Sequence, residues 1–539
     1  MAVSAEIVRK FKIVHTWTGI LSSIVLFIAF YAGALAIFKP EIAMWTQAGQ
    51  SLPAGRADID ALAAAFDRQA PGAGQVVLAL PHAADPAARI YYTAQGEHRL
   101  AYLDGEGKLR HIDAVAAGAD LRSGPTVGDF VDDLHRTGGL PTDPHTAEPV
   151  IGIISLLYAV ALISGVVALL PSLVKDLFLL RISHNVKRMW LDAHNMLGIT
   201  SLPFHLVMAL TAAVFGLHGW IYSAQSHLIY PPGQDPYAAD LAAPPDGPSE
   251  ARQALPPSEL LARLRQEAPG FRPHALMYRI GDAGVKEAGV RVAGTDDRYF
   301  LRDGRAGYAL IDQYTGELGA TTYLPGRQTA TAATLSSFFA LHFGNFGGLP
   351  VRILYVVLGM LGALVFYSGN LLWIEARLKK RRPGQPPAVQ PRHVRWLASL
   401  TVGACLGCVA GLSASLSAGR WLALAADGQA MAARYAYYAV FCLYLVLAFR
   451  QGAARASAGL LWGAAALSAL VPASNALWFI FAQPPTAYVP ALAFVDAFFT
   501  IAAGLLGWLA VRARARYRQG ARIFPAPAAE PSLPSTCEI

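Results

Sequence analysis

The sequence is short of charge and short of cysteine. Asp, Glu, Lys and Arg make up 15% of its 539 residues, against about a quarter in an average soluble domain, which excludes an ordinary soluble enzyme. The four cysteines are Cys405, Cys408, Cys442 and Cys537. They are too few for a disulfide framework, and none falls in the two long connections read below as facing outward. A phosphate-binding Walker loop is missing, as are a dinucleotide glycine fingerprint, Gly-x-Ser-x-Gly and His-Glu-x-x-His. With no nicotinamide or flavin site to read, any electrons must arrive from elsewhere.

What the chain has instead is apolar length. Hydrophobic residues make up 54%, the mean hydropathy is +0.37, and the apolar residues lie in runs of about 20, the length a bilayer core demands of a helix. An α-helical integral membrane protein is expected, with eight spans at 13–38, 149–171, 191–217, 350–375, 394–416, 433–449, 457–481 and 487–512. The net charge of +8 comes from basic residues at the ends of these runs. That placement points to topology and membrane lipid rather than nucleic acid. Basic clusters at Arg9/Lys10/Lys12, Lys175 to Arg188, Arg377 to Arg382, Arg450/Arg455 and Arg512 to Arg516 mark every second connection. Both termini are therefore expected in the cytoplasm. The first apolar run is too long for the core of a signal peptide and reads as an uncleaved anchor.

Two long connections then face outward, and the expected division is 1–38 first span, 39–148 outer module 1, 149–217 spans two and three, 218–349 outer module 2, 350–382 span four, 383–512 spans five to eight and 513–539 basic tail. Module 1 shows a helical stretch near Asp58 to Gln69, then strand-like runs from Gln75, Ala88 and His98. Module 2 shows a helix near Pro257 to Glu267, then strands around Ala275–Ile280, Gly289–Ala293 and Tyr308–Asp312. Each reads as a small α+β unit. The Pro- and Gly-rich stretches 231–247 and 520–535 read as linker and tail.

The chain repeats itself. His15-Thr-Trp-Thr-Gly19 opens span one, and His194-Asn-Met-Leu-Gly198 opens span three. Leu134-His135-Arg-Thr-Gly-Gly-Leu-Pro141 precedes span two, and Leu341-His342, followed by Gly347-Gly-Leu-Pro350, precedes span four. Ser164-Gly165 and Ser368-Gly369 recur near the ends of spans two and four. The pattern predicts a pseudo-symmetric four-helix core of two repeats, with spans five to eight as an appendage.

A lone membrane histidine is more often a hydrogen-bonded structural residue, but four at repeat-matched positions point to ligation. Across the pseudo-twofold, His15 pairs with His194 near the inner face and His135 with His342 near the outer face. Two axial imidazoles on facing helices are what a b-type haem needs, whereas zinc takes about four ligands in one cluster. Two b-type haems are therefore expected, with iron held by His15/His194 and His135/His342. Arg136, Arg188 and Asn195 are candidate partners for their propionates. His205, eleven residues after His194, has Leu26 as its repeat mate. It is a second-tier cofactor-binding candidate that replaces an outer ligand, hydrogen-bonds a cofactor or packs after Pro203. Cys405-x-x-Cys408 reads as packing, and Asp496 is a candidate coupling group if spans five to eight transport something.

The span-one opening, Trp190-x-Asp192-x-His194, the two Leu-His…Gly-Gly-Leu-Pro elements and the Tyr314-Thr-Gly-Glu-Leu module ending resemble the PepSY-associated transmembrane family over about residues 9–382. Members with this layout are bacterial inner-membrane proteins of iron uptake, some of them di-haem ferric-siderophore reductases. The resemblance implies two periplasmic PepSY-like modules, a ferric siderophore as substrate and a cytoplasmic or quinol electron donor. Under this reading, electrons enter at His15/His194 and leave from His135/His342. The alternative is a haem-free membrane protein that binds or transports a chelate or peptide.

Overall fold

The computed structural model describes residues 4–47, 53–69, 75–82, 85–94, 97–113, 126–172, 186–229, 253–280, 286–302, 304, 306–378, 390–422, 429–482 and 490–518. Stretches 231–247 and 520–535, Lys175, Arg181, His184 and Cys537 lie outside them. In chain order the elements are α1 (Ala5–Ala36), α2 (Lys39–Gln47), α3 (Ile59–Gln69), β1 (Gln75–Ala79), β2 (Arg89–Ala94), β3 (Glu97–Leu103), β4 (Leu109–Asp113), α4 (Val127–Thr137), α5 (Pro144–Leu169), α6 (Val186–Thr200), α7 (Leu202–Leu228), α8 (Pro257–Glu267), β5 (Arg272–Ile280), β6 (Lys286–Thr295), β7 (Gly307–Asp312), α9 (Ala330–Phe343), α10 (Gly348–Arg377), α11 (Arg392–Leu422), α12 (Gln429–Gln451), α13 (Ala453–Ala482) and α14 (Pro490–Arg518).

Among the described residues eight helices are long and apolar enough to cross a membrane: α1, α5, α7, α10, α11, α12, α13 and α14. The protein is a multi-pass membrane protein, mostly helical, with one antiparallel sheet. The expected third span, 191–217, is two helices. The helix breaks at Ser201 (φ −100°, ψ 8°), because Pro203 lacks the N–H that a continuous helix would use at that turn. His194 therefore sits on α6 and His205 on α7.

α1 packs against α5 and α10, α5 against α7, and α6 against α10. Apolar contact between helices gains little in lipid, so polar side chains fix the register. The Ser23 hydroxyl donates to Asn370 Oδ1 (2.7 Å), and Asn370 Nδ2 donates to the Thr401 hydroxyl (3.2 Å). These bonds link α1, α10 and α11.

Two short helices absent from the sequence reading precede the spans. α4 starts on a reciprocal capping box, Thr126 with Asp129, and ends on Gly138 and Gly139 at φ 58° and 85°. α9 starts on Thr329 and ends on Gly344 at φ 62°; Gly347 and Gly348, at φ 69° and 66°, then lead into α10. The Gly-Gly pair of each repeat occupies left-handed backbone, which glycine adopts without steric cost. It lets the chain turn from a short helix into a span.

Among the described residues the strands of the two long connections form one seven-stranded sheet, in the order β4-β3-β2-β1-β5-β6-β7. The junction is β1 with β5, where Val76 pairs with Tyr278 and Leu78 with Leu276. Strand side chains alternate between faces. Val76, Leu78, Ile90, Val290, Val292 and Ile311 pack under Leu62 and Phe66 of α3 and Leu260 and Leu264 of α8. Val77, Tyr91, Ala275 and Met277 lie on the opposite face and line a cavity shared with the bundle.

Candidate functional site

His15 and His194 meet, with ring centroids 6.1 Å apart and planes at 64°. His135 and His342 meet as well, at 6.0 Å and 40°. Each ring is anchored at Nδ1. His15 Nδ1 donates to the Ala161 carbonyl of α5 (2.8 Å), and His135 Nδ1 to the Ala29 carbonyl of α1 (2.8 Å). His194 Nδ1 faces the Ser368 hydroxyl (3.0 Å) and the Val365 carbonyl (3.2 Å) of α10. His342 Nδ1 faces the Thr211 hydroxyl of α7 (2.7 Å). Ser368 and Thr211 spend their protons on carbonyls within their own helices, Val365 and Val207, so both hydroxyl oxygens accept from the imidazole. All four rings are thereby set in the tautomer that leaves Nε2 unprotonated.

Glycines make room for these rings. A Cβ at Gly33 would lie 2.6 Å from His135 Nδ1, one at Gly165 2.9 Å from His15, and one at Gly369 3.4 Å from His194. The recurring Ser-Gly pairs thus lie behind the inner histidines. Sequence reasoning had the Ser164-Gly165 and Ser368-Gly369 signal but missed Gly33, Ala29 and Thr211, which have no local motif.

His205 joins neither pair. It is 1% exposed, its Nδ1 bonds the Tyr158 hydroxyl, and Phe30, Phe204 and Phe366 surround it. Its Nε2 is buried without a partner. Arg136 is paired with Glu148 (2.6 Å) and Arg188 with Asp192 (3.3 Å), so neither is a free cation for a propionate. Asn195 is only partly buried. Cys405 and Cys408 are both buried in α11, consistent with packing. Asp496 accepts from Trp45 Nε1 (2.9 Å) and Asn475 Nδ2 (2.6 Å), a held carboxylate rather than a loose one.

The outer pair borders a cavity of about 1,490 Å³. His135 and His342 line it from the bundle, Tyr91, Ala275 and Met277 from the sheet. The guanidinium of Arg302, also on its wall, stacks over the Phe339 ring at 4.4 Å.

The residues fit haem better than a compact metal centre. Among the described residues no three His, Cys, Asp or Glu side chains converge. In each pair two imidazoles from different helices lie about 6 Å apart and leave their Nε2 atoms available, the two-histidine donor set that a b-type haem iron would use.

The chain is similar to the uncharacterized protein PA4219 of Pseudomonas aeruginosa, 29% identical over 232 residues. That alignment covers 41% of this chain and 55% of the relative, so the chain spans about half the length of the protein it matches. The family model described as the PepSY-associated TM region matches residues 13–376, a stretch that contains all five histidines described above, and the chain belongs to that family.

Proposed function

We propose that the protein is a b-type haem oxidoreductase of the bacterial inner membrane that reduces a periplasmic ferric siderophore. The observation that carries the reading is the pair of bis-imidazole arrangements, at 6.1 and 6.0 Å, each ring held at Nδ1. His15 and His194 hold one haem, His135 and His342 the other. Bound there, the haems supply one-electron carriers that take Fe(III) to Fe(II), which hard oxygen donors hold far less tightly.

The rest is the work of the chain's own residues. The Ala161, Ala29 and Val365 carbonyls and the Thr211 and Ser368 oxygens orient the imidazoles and raise their basicity as ligands. Ala29, behind His135, lies fourteen residues beyond His15 on one unbroken helix, so the two pairs are about 21 Å apart along the helix axis. That separation carries the two sites toward opposite faces of the membrane. His205, Tyr158 and their phenylalanines fill the space between and exclude water. The cavity receives the chelate against the outer pair, roofed by two PepSY-like modules joined through β1 and β5. The two repeats are related by a pseudo-twofold axis, with basic ends and both termini in the cytoplasm. The donor is cytoplasmic or a quinol.

Proteoliposomes that enclose an impermeant reductant, with a ferric chelate and a ferrous-iron trap outside, test this. The intact protein is expected to release Fe(II) outside, and the His135→Ala/His342→Ala variant to fall to the protein-free rate. Equal rates in the two would overturn it.

A further inference from the structure

The last four spans have no histidine pair, yet among the described residues their hydrogen bonds, ion pairs and ring contacts reach the His135 side of the outer site and not the His342 side. On α4, which carries His135, the Asp133 carboxylate pairs with Arg434 of α12 (3.2 Å). The Arg434 guanidinium also lies over the Phe130 ring at 5.7 Å. Phe130 packs on the rings of Tyr437 (5.7 Å) and Tyr438 (6.4 Å). Tyr438 donates its hydroxyl to the carbonyl of Leu140 (3.1 Å), inside the Gly-Gly-Leu-Pro turn. A Cβ on Gly419 of α11 would collide with Val127, the first residue of α4.

A second grip runs through α2. Arg420 is fully buried; it donates to the Trp45 carbonyl and to Asn475 Oδ1 (2.8 Å). Asp496 holds both Asn475 and the Trp45 indole. Phe38 and Phe494 stack with centroids 3.5 Å apart. α2 in turn holds α4, since Lys39 bridges Asp129 (2.7 Å) and Asp132 (2.9 Å).

The repeat-related helix α9, which carries His342, shows no such brace among the described residues. Among the described residues its hydrogen bonds and ring contacts run to Phe215, Thr211, Gln328, Arg302, Tyr355 and His135, none of them in the last four spans. Leu335, Phe338 and Phe343 on it are exposed.

We infer that spans five to eight are a one-sided positioning scaffold that fixes His135, so that His342 is the compliant member of the outer pair. Arg434 and Tyr438 are the positioning residues; neither touches His135. A buried Arg–Asn–Asp–Trp network suits this task, because removing one partner strands another in the apolar interior. It also gives Asp496 a structural duty in place of ion coupling.

The consequence for the haem site rests on the function proposed above, so the test has two arms. In the first, amide hydrogen exchange is measured on the full-length protein in detergent for the wild type, Arg434→Gln/Tyr438→Phe, Arg434→Lys/Tyr438→Phe and the control Tyr435→Phe, which changes an exposed tyrosine of the same helix. Protection over 127–140 is expected to fall about tenfold in the Gln/Phe variant, less in the Lys/Phe variant and not in the control, with 330–343 unchanged. No change over 127–140, or an equal loss in both helices, overturns the scaffold. In the second arm, visible redox titration is expected to show one midpoint potential displaced in the Gln/Phe variant and the other kept, at unchanged haem content. If neither moves, the grip is structural only and the positioning role is overturned. A purified protein without haem removes the proposed function and leaves the exchange arm to decide the scaffold.

Discussion

The inner and outer histidine pairs have nearly the same separation and are built differently. His15 and His194 stand on α1 and on α6, the helix that leads into α7, and are backed by Gly165 and Gly369 of α5 and α10. His135 and His342 stand on short helices that precede spans and turn into them through left-handed glycines. The inner pair is therefore set between long packed helices, its rings held by the Ala161 and Val365 carbonyls and the Ser368 hydroxyl. The outer pair has matching supports in the Gly33 notch, the Ala29 carbonyl and the Thr211 hydroxyl, and adds the α2 ion pairs and contacts from the last four spans. Its position beside the cavity fits the proposed function, in which a chelate has to reach those rings.

Removing either pair is the largest way to break this comparison. His15→Ala/His194→Ala and His135→Ala/His342→Ala are each expected to leave half the wild-type haem, measured per chain by pyridine haemochromogen. Loss of all haem from one double variant would mean that the pairs do not bind independently.

Next come the notches. Gly33→Ala, whose Cβ falls 2.6 Å from His135 Nδ1, is expected to lose most of the outer haem; Gly165→Ala, at 2.9 Å, to lose part of the inner; and Gly369→Ala, at 3.4 Å, to lose little. The ordering is what haem content checks, since space is the only variable that changes.

A smaller effect is expected from Thr211→Val, which leaves His342 Nδ1–H without an acceptor at a cost of about 1–3 kcal/mol. Redox titration should show one potential displaced, while Ser368→Ala displaces the other less because the Val365 carbonyl remains within 3.2 Å of His194.

The smallest effect is with pH. Burial raises the Asp129 carboxyl, but the Lys39 ammonium and the Thr126 amide and hydroxyl outweigh it and hold the group below the usual carboxylate range. A depressed carboxyl adds stability that is fully present above its unfolded pKa, about 3.9, and is lost as pH falls through the folded value. The part of α4 protection that Asp129 supplies, read as wild type minus Asp129→Asn, should be flat near neutrality and vanish on acidification below about pH 4.

Much of the scaffold was legible in the sequence, for reasons of length and period. Apolar runs marked eight spans, seven of them within about eight residues of the helix ends, whereas the third, expected at 191–217, is the helix 202–228 preceded by α6; the repeat led to the four histidines that pair. What escaped was short or non-local. The β4 strand carries Arg110 and His111 at a sheet edge, where charge blunts the alternation that marks a strand. α4 had a readable Thr126-x-x-Asp129 capping box, but α9 is a run of small residues without one. The pairing of β1 with β5 joins segments about 200 residues apart, and nothing in either strand names its partner. The break at Ser201 is legible only as Pro203, which a helix often tolerates in a membrane. The carbonyl and hydroxyl anchors of the histidines are backbone or generic groups, visible only once the helices are packed.

The most direct test is a reduced-minus-oxidised visible spectrum of the detergent-purified protein from cells supplied with haem precursor, with haem quantified per chain. About two b-type haems are expected, falling to one in either double-histidine variant. A purified chain with no Soret band, or with a haem content that the four histidine substitutions leave unchanged, would contradict the assignment of His15, His194, His135 and His342 as ligands.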